Sequence, residues 1–192
     1  AAAGVFAGID IDWEYPGGGG QPYNTVSTSA KQNFTLLMQE FRTQLNALGS
    51  QNGKYYYLTA AVGAGKDKID NTEAATYAQH MDWINVMTYD FHGAWATTGP
   101  TNFHSHLYAD PADPSVGMER EYVGDKAIQY MVSKGVPRNK LTLGIGFYGR
   151  GWTGVPPGPG NNGLYQSATG PAPGTYEAGI EDYKALITKV GV

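Results

Sequence analysis

Four strand-length apolar runs, separated by stretches of helical periodicity, constrain this chain more than any other feature. Val5 to Trp13, Tyr56 to Val62, Trp83 to Tyr89 and Leu141 to Phe147 read as strands. Ser29 to Leu48 carries Phe34, Leu37, Phe41, Leu45 and Leu48 at three- and four-residue spacing, which predicts a helix. Ser29 with Gln32 would be its capping box and Gly49 its stop. A shorter helix is expected from Glu73 to Met81, with Asp70 and Glu73 as a cap, and another from Glu121 to Lys134, ended by Gly135 and Pro137. The resulting β-α-β-α-β-α-β order predicts a parallel α/β sheet covered by helices, with right-handed crossovers. Both an open doubly wound sheet and part of a (β/α)8 barrel suit this order. A full barrel takes about 250 residues, so the 192 residues here would hold about half of one. After Arg150 the texture turns Gly/Pro-rich (Val155 to Gly174), then a helix is expected from Ile180 to Val190, as an excursion from the sheet.

Composition removes several function classes. A content of 41% hydrophobic residues is ample for one packed domain. Thirteen basic against 17 acidic residues, with no basic run, argue against nucleic acid or an anionic membrane as a partner. The absence of cysteine excludes disulfides and Cys-ligated metals. No apolar run approaches the roughly 20 residues of a membrane span, and the opening AAAGVFAGIDI lacks the basic start of a signal peptide.

The first strand holds the chemistry. In GIDIDWEYPGGGG, side-chain alternation points Asp10, Asp12 and Glu14 one way and Ile9, Ile11 and Trp13 the other. Neighbouring carboxylates lie roughly 7 Å apart at about 3.3 Å rise per residue. Lined up in a shielded site, three like charges do not all ionise cheaply, so at least one is expected to keep its proton and serve as a general acid. Glu14 is nearest the loop end of the strand, where substrates reach a parallel sheet. A plain polar strand face is the alternative.

At these residues the chain resembles a family. GIDIDWEYP is similar to the D-G-x-D-x-D-W-E signature of glycoside hydrolase family 18 chitinases. VMTYDFHGAW (Val86 to Trp95) resembles the family's M-x-Y-D strand, and AAVGAGKDKID its fifth-strand region. GFYGRGWTGV (Gly146 to Val155) resembles the seventh strand entering the α+β insertion domain of the bacterial chitinase A-like subgroup. The resemblance implies a partial TIM barrel, about strands four to seven, over residues 1–150, and the start of the insertion domain over 151–192. It implies hydrolysis of β-1,4-linked N-acetylglucosamine polymers without a protein nucleophile: the substrate's acetamido oxygen attacks the anomeric carbon, and water then opens the oxazolinium ion with retention.

By the same resemblance Glu14 protonates the glycosidic oxygen, Asp12 orients the acetamido group, Asp10 shares charge or a proton with Asp12, and Tyr89 donates to the acetamido carbonyl. Met87, Asp90, Tyr148 and Arg150 line the site, Trp95 is a sugar platform, and Glu177 faces the cleft. The family's first aspartate falls on Ala7, a departure that bears on the charge balance of Asp10 and Asp12. The implied protein is a secreted, extracellular monomer with chitin or chito-oligosaccharide as partner and neither cofactor nor metal. Its isolated 192-residue piece is expected to be poorly stable and weakly active. The rivals are a non-hydrolytic sugar-binding protein on the same fold and an endo-β-N-acetylglucosaminidase acting on N-glycans.

Other signals carry less. GIGFYG (Gly144 to Gly149) matches a dinucleotide loop, but RGWTGVPPGPG follows where a helix is needed. GAGKDK lacks the leading glycine and the Ser/Thr of a phosphate loop. His104 and His106 have no third metal ligand nearby and read as a loop pair. The sequon Asn33-Phe34-Thr35 falls on a predicted helix and reads as accidental. Trp83 and Tyr55 to Tyr57 read as packing residues.

Overall fold

The computed structural model describes residues 4–189. The chain divides into two compact units, one of Ala1–Met87 with Asp125–Gly144, the other of Thr88–Gly124 with Ile145–Val192.

The first unit is built on a four-stranded parallel sheet in the order β1-β2-β3-β4: β1 Gly8–Asp12, β2 Tyr57–Gly63, β3 Trp83–Met87 and β4 Leu141–Leu143. β1, β3 and β4 are shorter than their apolar runs, because the ladder stops where register partners run out, while β2 keeps its length and shifts by one residue to end at Gly63. One face carries Leu58, Ala60, Val62, Ile84 and Val86, all buried. The helix α1 (Ala30–Asn52) packs on it through a stripe of Phe34, Met38 and Leu45, while Leu37 is exposed at the stripe's edge. Phe34 meets Tyr77 edge-on at 5.0 Å and Trp13 at 6.0 Å. Each such side chain, fully buried, contributes about 1.5–3 kcal/mol.

The helix ends differ from expectation. Ser29 precedes α1 without a side-chain cap bond, so no capping box forms, and the helix runs through Gly49 to Asn52. Gly53, at φ 71°, stops it and donates its N–H to the Gly49 carbonyl. The polar GAGKDKID stretch forms a short helix, α2 (Lys66–Asp70), that its composition hides, and the Glu73–Met81 helix shrinks to α3 (Ala74–Tyr77). The Glu121–Lys134 segment becomes a 3-10 turn at Glu119–Glu121 and α4 (Gly124–Ser133), with Met131 and Ala127 buried. Arg42 of α1 ties this layer together: it donates to Asp82 at 2.6 Å and to the carbonyls of Tyr56 and His80 at 3.0 and 3.1 Å.

The second unit holds two antiparallel pairs, β5 (Tyr148–Arg150) with β8 (Ile180–Asp182) and β6 (Trp152–Thr153) with β7 (Gly170–Pro171). The helix expected from Ile180 therefore begins as a strand; α5 (Tyr183–Leu186) and a 3-10 turn (Ile187–Lys189) follow, and Val190 lies outside the described residues. The 88–124 loop is fastened within this unit. The Trp152 indole donates to the Ala96 carbonyl at 2.9 Å, Thr101 and Gln166 share a backbone bond at 2.9 Å, and buried Asn102 donates to buried Asp113 at 2.9 Å. Among the described residues no helix is long and apolar enough to cross a membrane.

Candidate active site

In the first unit, β1 places Asp10 and Asp12 on the sheet face opposite the helices, and Glu14 follows two residues past the strand's end, exposed. The glycine at the head of this strand is required sterically, because a Cβ on Gly8 would come within 2.2 Å of the Tyr57 carbonyl on β2. The glycine loop answers a different need: Gly17, Gly18 and Gly19 take φ of 81°, 105° and 91°, a run closed to other residues. The Asn24 amide donates to the Glu14 carbonyl at 2.9 Å and fastens this loop to the end of the acidic row. The Glu14–Tyr15 peptide is cis.

Register explains who supports the row. Thr59 stands opposite Asp10 and donates to it. The Asn85 amide donates to the same carboxylate at 3.3 Å and accepts from the Thr142 hydroxyl at 2.9 Å. One polar chain thus crosses all four strands from β4 to β1. Thr59, Asn85 and Thr142 carried no sequence motif. The available signal was a polar residue inside each apolar run, at positions that pairing brings to one face.

Asp10, Asp12 and Glu14 are exposed, which corrects the expectation of a shielded cavity. The same face also exposes Tyr57 at 46% and Trp83 at 37%, so this face of the sheet is open rather than a packed core. In water two unit charges about 7 Å apart repel by only about 0.6 kcal/mol, against several times more in dry surroundings. Met87 ends β3, opposite Gly63. Ala7 is exposed just before β1, its carbonyl accepting the Tyr57 N–H at 2.9 Å.

In the second unit the structure gathers four of the expected residues around Asp90. Its carboxylate accepts the Tyr148 hydroxyl at 2.7 Å and Arg150 Nε at 2.8 Å. The Arg150 guanidinium lies over the Trp95 ring at 5.0 Å and the Tyr148 ring at 5.7 Å, and Tyr89 packs edge-on against Tyr148 at 6.2 Å. Burial, then the bond to Asp90, pushes the Tyr148 hydroxyl well above its ordinary value, so it stays a donor. Trp95 is 60% exposed, and beside it lies a cavity of about 310 Å³ walled by Phe91, His92, Tyr122 and Trp152. Glu177 is exposed at an isolated bridge with Ile180. His104, read from sequence as a plain loop residue, belongs to the Asp90 cluster, with Nδ1 3.8 Å from its carboxylate. Among the described residues no group of three or more His, Asp or Glu could hold a metal ion.

A parallel α/β sheet with acidic side chains at the carboxyl end of its first strand defines a class whose active sites form at that end. Comparison specifies the class further: the chain belongs to the glycosyl hydrolases family 18, whose model matches residues 2–191. It is 48% identical over 188 residues to Chitinase 63 of Streptomyces plicatus, covering 96% of this chain and 28% of that protein. To Chitinase A1 of Niallia circulans it is 44% identical, covering 94% of this chain and 26% of the relative. The catalytic domain of psychrophilic chitinase B from Arthrobacter TAD20 superposes with a TM-score of 0.86 at 40% identity, covering 96% of this chain and 42% of that domain. The chain thus spans little more than a quarter of the length of these curated relatives.

Proposed function

We propose that this chain is part of a secreted chitinase, cleaving β-1,4-linked N-acetylglucosamine polymers with retention through the substrate's own acetamido group. The observation that carries the reading is Asp10 and Asp12 on one face of β1 with Glu14 two residues beyond them, in a chain of family 18 whose relatives are named chitinases. Glu14 gives its proton to the leaving oxygen and takes one back from water. Asp12 stabilises the positive charge that grows on the acetamido nitrogen, and Tyr89 donates to its carbonyl. Asp10, held by Thr59 and Asn85, shares charge with Asp12. Met87, Asp90, Tyr148, Arg150 and Glu177 line the sugar site, and Trp95 stacks on a ring; the aromatic cavity beside it supports that role.

Residues 1–150 correspond to about strands four to seven of a (β/α)8 barrel, and 151–192 open an α+β insertion domain. The exposed sheet face that carries Asp10, Asp12, Tyr57 and Trp83 supports this reading, because it is the face a closed barrel covers. The test is to assay the full-length protein bearing this sequence on chito-oligosaccharide and on a high-mannose glycopeptide. Cleavage of the first with retained configuration is expected. Cleavage of the glycopeptide instead, or binding of the oligosaccharide without turnover, overturns the proposal in favour of an N-glycan-trimming enzyme or a sugar-binding protein.

A further inference from the structure

The loop after β3 turns at Asp90, whose φ of 59° is a left-handed conformation that a residue other than glycine keeps only when its surroundings hold it. His104, from the far side of the same loop, supplies the hold. Its carbonyl accepts the Phe91 N–H at 2.9 Å and its Nδ1 accepts the Asp90 N–H at 3.4 Å, so two successive amides end on one residue. The imidazole also makes a hydrogen bond to the main chain of Tyr148 and lies against the Tyr148 ring, centroids 5.3 Å apart. With Nδ1 accepting, the neutral ring carries its proton on Nε2.

We propose that His104 is a positioning residue: as a neutral ring bonded through Nδ1 to the Asp90 amide, it fixes the turn that aims the Asp90 carboxylate at Tyr148 and Arg150. The idea rests on the reading of Asp90, Arg150 and Trp95 as sugar-site residues. A proton on Nδ1 abolishes the acceptor that the Asp90 N–H uses. It also places a new donor beside Asp90 Oδ1, the oxygen that Arg150 occupies, 3.8 Å from Nδ1. Arg150, released from Asp90, then no longer holds its place over Trp95. The charged and titratable groups facing the ring are Asp90, Arg150 and Tyr148. Burial lowers the affinity of His104 for a proton and outweighs the attraction of Asp90, which keeps the ring neutral below its ordinary value of 6.5.

The two ring nitrogens can be separated by substitution. H104N keeps an acceptor near the Nδ1 position, whereas H104Q reaches only the Nε2 position. In the full-length protein acting on chito-oligosaccharide, H104A is expected to lower kcat about tenfold, the size of one lost hydrogen bond. KM should change little, H104N should restore most of the rate, and H104Q should not. The acid limb of kcat that lies below pH 6.5 should move to lower pH in H104N, which has no proton to take up. Wild-type kcat in H104A, equal rescue by both amides, or an unmoved acid limb overturns the proposal. Nitrogen-15 NMR of the wild-type imidazole tests it independently of turnover: an Nε2–H tautomer is expected at neutral pH, and an Nδ1–H tautomer refutes it. If the wild-type protein hydrolyses no chito-oligosaccharide, the chitinase reading fails, while the tautomer still decides for or against His104.

Discussion

At the scale of single residues, the first strand shows what alternation reveals and what it hides. The shared direction of Asp10 and Asp12 follows from a period of two and holds in β1, whereas Glu14 lies past the strand's end. Their exposure was not legible, because cover for a sheet face comes from elements remote in sequence. Thr59 and Asn85 were equally hidden, since their role depends on register rather than on any local motif. Gly8 is different, being local in sequence but needed for a contact with the next strand. Gly8→Ala puts a Cβ 2.2 Å from a backbone oxygen that cannot swing away. It should cost about 2 kcal/mol, read as a fall of about 4–8 °C in the melting midpoint by circular dichroism. An unchanged midpoint would show that β1 and β2 do not approach as described.

At the scale of elements, the four strands and the helices α1 and α4 were readable because long amphipathic or apolar segments carry their own periodicity. The two-residue strands β6 and β7 and the helix α2 were not, being too short or too polar to repeat. The stop of α1 was misplaced by four residues because Gly49 stays helical and only Gly53 turns left-handed. What locks α1 to the sheet is Arg42, whose guanidinium, 14% exposed, pairs with Asp82 while its other N–H groups meet main-chain carbonyls. Arg42→Met removes the cation but leaves Asp82 the Tyr55 hydroxyl and the Leu58 N–H, so it should cost about 2 kcal/mol through the lost charge-assisted hydrogen bonds, lowering the midpoint by about 4–8 °C; a shift under about 1 °C would contradict that role. In the second unit, burial holds the His92 proton affinity down. The unfolded chain therefore binds a proton first as pH falls through 6.5, the folded chain does not, and stability declines with falling pH in that window. His92→Phe should flatten the slope of midpoint against pH there, and an unaltered slope would assign the acid sensitivity to other groups.

At the scale of the whole molecule, the sheet leaves β1 and β4 as edges, and Tyr55, Tyr57 and Trp83 form an exposed run of touching rings. Unpaired edges and an uncovered aromatic face favour association. Residues 1–192 expressed alone should therefore bind a hydrophobic dye and elute from size exclusion as aggregates; a stable, dye-free monomer would contradict this. The sequence motifs pointed to the family because they are contiguous, while the cover of a sheet face depends on elements remote in sequence. Glu14 joins the two, as the outermost member of the row and the residue on which the proposed chemistry depends. The most direct measurement is turnover of chito-oligosaccharide by the Glu14→Gln full-length protein. A fall of about a thousandfold or more, with oligosaccharide binding kept within a few-fold, is the predicted result. Retention of most of the wild-type rate would contradict the account.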